Sequence, residues 1–215
     1  LEPSCGDGSF WNKIKDEKHS QAIEIDSTIA PKGVVVSDFF DYKFDCKFQT
    51  IIGNPPYVQF KNIPDQTIEL LKNENFDKRT NLYVFFINKC IDLLEDNGEL
   101  IFITPRQFIN ATSCIYLNEK IFNNGTITHF FDYGDDVLFK GFSPNCAIWR
   151  YQKGCFTHKT ETKNGVKNMN LHEGQLIFSN KKFKHKLSEF FFVKVGAVSG
   201  LDNIFCDPNG DSDFV

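Results

Sequence analysis

Phe48-Gln49-Thr50-Ile51-Ile52-Gly53-Asn54-Pro55-Pro56-Tyr57 runs as a largely apolar strand straight into two prolines and an aromatic ring. Neither a β ladder nor a helix continues through consecutive prolines, which lack an N–H and hold φ fixed. The strand must end at Gly53, in a rigid turn. Strand-like segments precede it at Ala22 to Asp26, ending in acids, and at Val34 to Val36, running into Ser37-Asp38. Beyond it, residues 61–79 are polar, with a short helix around Ile68 to Leu71. Leu82, Phe85, Phe86, Lys89, Cys90 and Leu93 mark one face of a helix over Leu82 to Leu94. Asn97-Gly98 is expected to close that helix, Gly98 taking the left-handed cap. Leu100 to Thr104 is the next strand, stopped by Pro105, and Tyr116 to Phe122 the next helix, ended by Asn123-Asn124-Gly125. Ile127 to Tyr133 and Cys146 to Tyr151 form a late pair of strands. Alternating strands and helices predict an α/β fold, a mostly parallel sheet with late antiparallel strands.

Composition agrees with an ordinary globular chain of 215 residues, 41% hydrophobic and 24% charged. Phenylalanine is in excess at 24 residues, which supplies ample core. No apolar run approaches the ~18 residues of a membrane span, so no membrane partner is expected. The formal charge of −4 by itself argues against a uniformly basic nucleic-acid binder. The charge is unevenly spread, however: from Lys153 to Lys194 nine lysines face three acids. Seven scattered cysteines without a C-x-x-C pair fit neither a metal site nor a disulfide framework, and a reducing, cytoplasmic setting is expected. The chain starts at Leu1 with a motif already under way, which reads as a piece of a longer protein.

Three groups of residues carry chemistry. Glu2-Pro3-Ser4-Cys5-Gly6-Asp7-Gly8 places two glycines where a tight turn can bring backbone close to a ligand over strand ends. Its spacing is neither that of a dinucleotide loop nor of a phosphate loop, and its leading acid suits a cationic ligand. An ordinary strand-to-helix turn would read the same way. Glu24, with Asp26 beside it, and Asp38 end adjacent strands, where open α/β sheets bind ligands. Glu24 could hold a ribose diol, Asp38 an exocyclic adenine amine, and Phe39 could flank the purine; alone, such acids are more often caps or turn residues. In Asn54-Pro55-Pro56-Tyr57, the Asn54 amide oxygen and the Pro55 carbonyl can each accept one hydrogen of an exocyclic amine, while Tyr57 stacks on the ring.

Taken in order, these motifs resemble those of the gamma-class N6-adenine DNA methyltransferases, most closely the Taq-type and the long type IIG and type I restriction–modification enzymes. Asn81-Leu82-Tyr83, the strand from Gly98 to Pro105, the block Val137 to Ile148, and Val193 to Gly196 followed by Ser199 to Phe205 extend the likeness. The resemblance implies a Rossmann-like S-adenosylmethionine-dependent methyltransferase fold. It implies a cofactor site at Glu2, Pro3, Cys5, Gly6, Gly8, Glu24, Asp38 and Phe39, and a catalytic turn at Asn54, Pro55, Pro56 and Tyr57. A second ring stacking on the base would be Phe139 or Phe142, with Lys140 near a phosphate. No metal is implied.

The reaction implied is methyl transfer to N6 of an adenine flipped out of double-stranded DNA, within a restriction–modification system. A restriction or specificity subunit, or a fused domain, would be the partner. The expected division is a catalytic domain at 1–152, a basic linker or insert at 153–186 and the start of a target-recognition domain at 187–215. The first strand and the upstream segment completing the cofactor pocket in that family would precede residue 1, so this chain by itself is expected to bind cofactor weakly or not at all. Protein-glutamine and RNA methyltransferases resemble users of the same four-residue turn, and a non-catalytic methyltransferase-like adaptor is a third reading. The length of chain after Tyr57 and the late phenylalanine loop favour DNA.

Overall fold

The structure is a computed structural model that describes residues 1–72, 74–134, 145–181 and 189–190. Residues 1–180 form one compact unit; residues 181–215 form a second. The chain runs through α1 (Trp11–Ile14), β1 (Ile23–Glu24), β2 (Val35–Val36), β3 (Phe48–Gly53), α2 (Asp65–Leu71), α3 (Leu82–Leu93) and β4 (Leu94–Pro105). It continues through α4 (Ile115–Asn124), β5 (Gly125–Asp132), β6 (Cys146–Lys153), β7 (Lys159–Thr162), β8 (Gly165–His172) and β9 (Gln175–Phe178). None of the described helices is long and apolar enough to cross a membrane.

β1 and β2 pair in parallel, and seven strands pair in the order β3-β4-β6-β5-β7-β8-β9. Leu1 and Glu2 join the two sheets. Leu1 N donates to Thr50 O and Ile52 N donates to Leu1 O, while Glu2 N donates to Gln21 O and Ile23 N to Glu2 O. The first strand, expected to lie wholly ahead of the sequence, is therefore represented by these two residues, which make ladder bonds on both sides. The resulting order, β2, β1, residues 1–2, β3, β4, β6, β5, is mostly parallel, with β6 antiparallel to both neighbours. The C-terminal ends of β1, β2, β3, β4 and β5 thus share one edge, where open α/β sheets bind ligands.

β3 has the bounds that its prolines predicted. The Asn97-Gly98 reading is corrected: α3 stops at Leu93, and Asn97-Gly98 falls within β4, Asn97 itself being left-handed at φ 65°. A Cβ at Gly98 would meet the backbone oxygens of Phe48 and Gln49 at 3.0 and 3.1 Å, so the glycine admits β3 rather than capping a helix. Residues 159–178, within the stretch expected as linker or insert, form three strands that continue the sheet, β7 lying parallel beside β5.

The core absorbs much of the phenylalanine excess. Phe102 of β4, Trp149 and Tyr151 of β6, and Phe108 just after β4 are fully buried. A second aromatic cluster lies beside the strand ends, with Phe39 stacked on Phe86 of α3 at 4.8 Å and edge-on to Phe40 and Phe44. Cys5, Cys90, Cys114 and Cys146 are buried and unbridged, as small hydrophobes. Cys46 is exposed.

Candidate active site

A cavity of 260 Å³ opens at the shared strand edge. Pro3, Gly6, Glu24, Asp38, Phe39, Asn54 and Pro56 line it, so the three sequence motifs meet in one place. Glu2, Cys5 and Gly8 are not among its lining residues; they support the loop from behind. Cys5 packs with Trp11 and Ala22, and burial pushes its thiol up to about 12. Gly8 has φ +90°, and a Cβ there would run into Pro31 Cγ at 2.6 Å.

The loop is held by Glu24. Its Oε2 accepts from Gly6 N at 2.8 Å and its Oε1 from Asp26 N at 3.0 Å. Gly6 has φ +55°, and nothing lies within 4 Å of where its Cβ would be. A side chain would be strained at that φ and would project into open space beside the cavity. Asp38 is fixed in the same way, its Oδ1 accepting from Phe40 N at 2.8 Å and its Oδ2 from the Thr67 hydroxyl. Each of these carboxylate oxygens keeps a second acceptor position.

Three features escaped sequence reasoning. Phe39 is 3% exposed, its ring stacked on Phe86, and half-buried Phe40 lines the cavity together with it. Adjacency alone could not say which ring turns inward. Lys89, counted on the apolar face of α3, donates to the carbonyls of Phe39, Phe40 and Tyr42 and lies 4.7 Å from the Phe39 ring centroid. It pins the loop that carries both rings, and burial lowers its ammonium pKa. Thr67 on α2, the partner of Asp38, had no local signal either.

The Asn54–Tyr57 turn is built from missing donors. Thr50 O and Ile52 N face Leu1, so the odd-numbered residues of β3 face β4, and Gly53 lies opposite Phe102. The next ladder donor, toward the carbonyl of Ile103, would come from Pro55, which has no N–H. The Tyr57 hydroxyl takes its place, 2.9 Å from Ile103 O and 2.5 Å from Asn54 Oδ1. Burial raises the Tyr57 pKa, which keeps the hydroxyl protonated. Its ring packs edge-on to Tyr83 of α3 at 6.0 Å. Phe139, Phe142 and Lys140 lie outside the described residues, as do Val193 to Gly196 and Ser199 to Phe205.

Glu2 sits beneath Gly53, 1% exposed, with its Oε2 buried and unpartnered. Burial pushes its carboxyl up to about 7, opposed by a hydrogen bond from the Trp11 backbone.

The profile of the Eco57I restriction-modification methylases matches residues 7–139, from the last two residues of the loop through both acids and the proline turn. The chain belongs to the Eco57I restriction-modification methylase family. Among curated relatives of this family member, the type II methyltransferase M.HincII of Haemophilus influenzae is 32% identical over 162 residues, which are 72% of this chain and 32% of the relative. The chain thus spans about a third of the length of such relatives. Two solved structures share the fold. One is a Listeria monocytogenes protein assigned to the class I S-adenosylmethionine-dependent methyltransferases (TM-score 0.59, 16% identity, 75% of this chain and 57% of that one). The other is a type I restriction-modification methyltransferase subunit of Streptococcus thermophilus (TM-score 0.57, 13% identity, 83% and 44%). The fold of this family member is therefore that of S-adenosylmethionine-dependent methyltransferases, and S-adenosylmethionine is the cofactor that this fold and family carry.

The cavity suits that cofactor on its own features. Glu24 and Asp38 are acids, no base is among the lining residues, and Gly6 leaves room where any other residue would intrude. An acid-lined, partly apolar cleft matches a cationic ligand that bears an adenine ring.

Proposed function

We propose that this chain is the catalytic part of a site-specific DNA adenine methyltransferase of a restriction–modification system, transferring a methyl group to N6 of an adenine flipped out of the duplex. The observation that carries the reading is that Asn54 and Pro56 line the same cavity as Glu24 and Asp38. In this reading the methyl donor and acceptor sites share one cavity.

In this reading Glu24 holds the cofactor's ribose hydroxyls and Asp38 its adenine amine, with Phe40 rather than the buried Phe39 offering an aromatic surface. Pro3 and Gly6 border its methionine part. Bound there, S-adenosylmethionine supplies a methyl group on a sulfonium that an amine nitrogen can attack directly, so no covalent enzyme intermediate is needed. The acceptor amine is a poor nucleophile because its lone pair is delocalised into the ring. The Asn54 amide oxygen and the Pro55 carbonyl each accept a hydrogen bond from one amine N–H. They favour the pyramidal nitrogen as positive charge develops, which stabilises the transition state over the ground state. As the N–C bond forms, the S–CH₃ electron pair would stay on sulfur as a neutral thioether and the amine would release one proton to water. Tyr57 stacks on the extruded base, offsetting part of an unstacking cost of a few kcal/mol.

The Tyr57 hydroxyl has a single proton for two acceptors, Ile103 O and Asn54 Oδ1. With the proton on Ile103, a half-turn of the Asn54 amide lets its N–H₂ donate to the phenol oxygen and leaves Oδ1 for the substrate amine. The same hydroxyl thus closes the gap left by Pro55 and aims Asn54.

A methylation assay of the full-length protein with labelled S-adenosylmethionine tests the reading. Label should enter unmethylated genomic DNA as N6-methyladenine. Label in release factors or ribosomal RNA, with none in DNA, would replace it with the protein-glutamine or RNA alternative. No label in any of these would favour the adaptor.

A further inference from the structure

A second cleft, of 500 Å³, shares no lining residue with the acid-lined cavity. Gln59 and Lys61 enter it just after the proline turn, Gln107 just after β4, and Lys78, Arg79 and Asn81 just before α3. It also contains Tyr83, the ring packed edge-on to Tyr57. Its position is fixed by backbone, since Leu82 N donates to Val58 O and docks the start of α3 against the exit of the proline turn.

The two clefts have opposite charge. The first is lined by two acids and no base, the second by three bases and no acid. Arg79 is paired through Nε and Nη2 to Asp77 in the same turn, which offsets its charge and leaves Nη1 unengaged by that pair. The net positive charge of the cleft therefore comes from Lys61 and Lys78, both exposed. The Asn81 side-chain oxygen accepts from Tyr83 N at 3.4 Å, so its amide N–H₂ is the group left to donate. With Gln59 and Gln107, the cleft presents cations and neutral donors, the set that recognises phosphodiester oxygens without reading bases.

Resting on the function proposed above, we propose that this cleft holds the sugar–phosphate backbone of the DNA strand next to the flipped nucleotide, with Lys61 and Lys78 as phosphate contacts. A base extruded into the Asn54 site brings its own phosphates to the protein surface around the turn, a purine and a sugar away from the acceptor pair, and the cleft is a neighbouring surface that would neutralise them. The charge that binds the target strand then lies beside the catalytic turn, in addition to any in the lysine-rich stretch after Lys153.

The test is the Lys61→Gln/Lys78→Gln double variant in the full-length protein, titrated with a labelled mixed-sequence DNA duplex at several salt concentrations, with S-adenosylmethionine affinity measured in parallel by calorimetry. Losing two phosphate contacts should weaken binding to all duplexes alike and make the log–log salt slope shallower by about 1.8. Cofactor affinity, set by the other cleft, should stay as in the parent. A parent that binds duplex and a double variant with unchanged affinity and slope would overturn the cleft assignment alone. A parent that binds no duplex would overturn the DNA reading and the assignment together.

Discussion

The hydroxyl of Tyr57 donates to the carbonyl of Ile103 at the one ladder position where Pro55 has no N–H to offer. The proline that makes the turn rigid also leaves a strand carbonyl short of a donor, and a residue two places later supplies it. Tyr57→Phe should therefore separate two roles of this side chain. The ring remains for stacking, but Ile103 O loses its partner, at about 1–3 kcal/mol of stability if it stays dry, and Asn54 loses its orienting group. Single-turnover methyl transfer should fall roughly 10- to 100-fold, as expected when a reacting group is misplaced, while S-adenosylmethionine affinity is retained. An unchanged rate would show that Asn54 needs no help from the phenol.

Asn54→Ala removes one of the two acceptors proposed for the amine. Its side chain is exposed and outside the core, so thermal stability should hold within about 0.5 kcal/mol. Methyl transfer should drop by about 10²-fold or more, the usual cost of one preorganised transition-state hydrogen bond. Undiminished DNA methylation would remove the mechanism.

Gly6→Ala tests the cofactor loop. The residue must keep φ near +55°, which costs an L-residue about 1–2 kcal/mol, and the new methyl group would stand where Gly6 lines the cavity. Calorimetry should show S-adenosylmethionine binding weakened at least tenfold, with a modest fall in melting temperature. Equal cofactor affinity in parent and variant would place the ligand elsewhere.

Glu2 should make stability depend on pH. Its carboxyl titrates at about 7 in the fold against an ordinary 4.5. Between those values the unfolded chain has released the proton and the folded chain still holds it, so stability should fall as pH rises through this window and level off above it. Glu2→Gln imitates the protonated form. It should flatten that profile and melt higher than the parent at pH 8; a parent and variant with parallel profiles would show that Glu2 is ionised in the fold.

Local covalent constraints made much of this molecule legible. Pro55 and Pro56 end β3 at Gly53 whatever surrounds them, and the motif order from Glu2 to Tyr57 survives because consecutive parallel strands deliver their ends to one edge. Where reading failed, a distant segment had intervened. Asn97-Gly98 resembles a helix cap, yet the backbone of β3 approaches Gly98 too closely for any side chain. Strand β7, Lys159–Thr162, is short and polar and pairs with β5 without an apolar stripe of its own. Phe39 and Phe40 are identical in propensity; both meet Phe86 and Lys89 of another element, Phe39 stacked on the Phe86 ring and Phe40 edge-on to it, a difference that adjacent identical residues do not show.

The amino-acid sequence by itself therefore determined which residue types the proposed chemistry can draw on: two acids and a glycine loop beside an amide, a carbonyl and a ring. Those are properties of residue types and of proline and glycine dihedrals, which act within a few bonds. Only the tertiary structure decided the partners. It set the Tyr57 hydroxyl between Ile103 O and Asn54 Oδ1, the Asp38 carboxylate on Thr67, and two clefts of opposite charge with no lining residue in common. Hydrogen bonds and charge act through space over a few ångströms, and which groups stand that close is settled by chain packing, not by order along the chain.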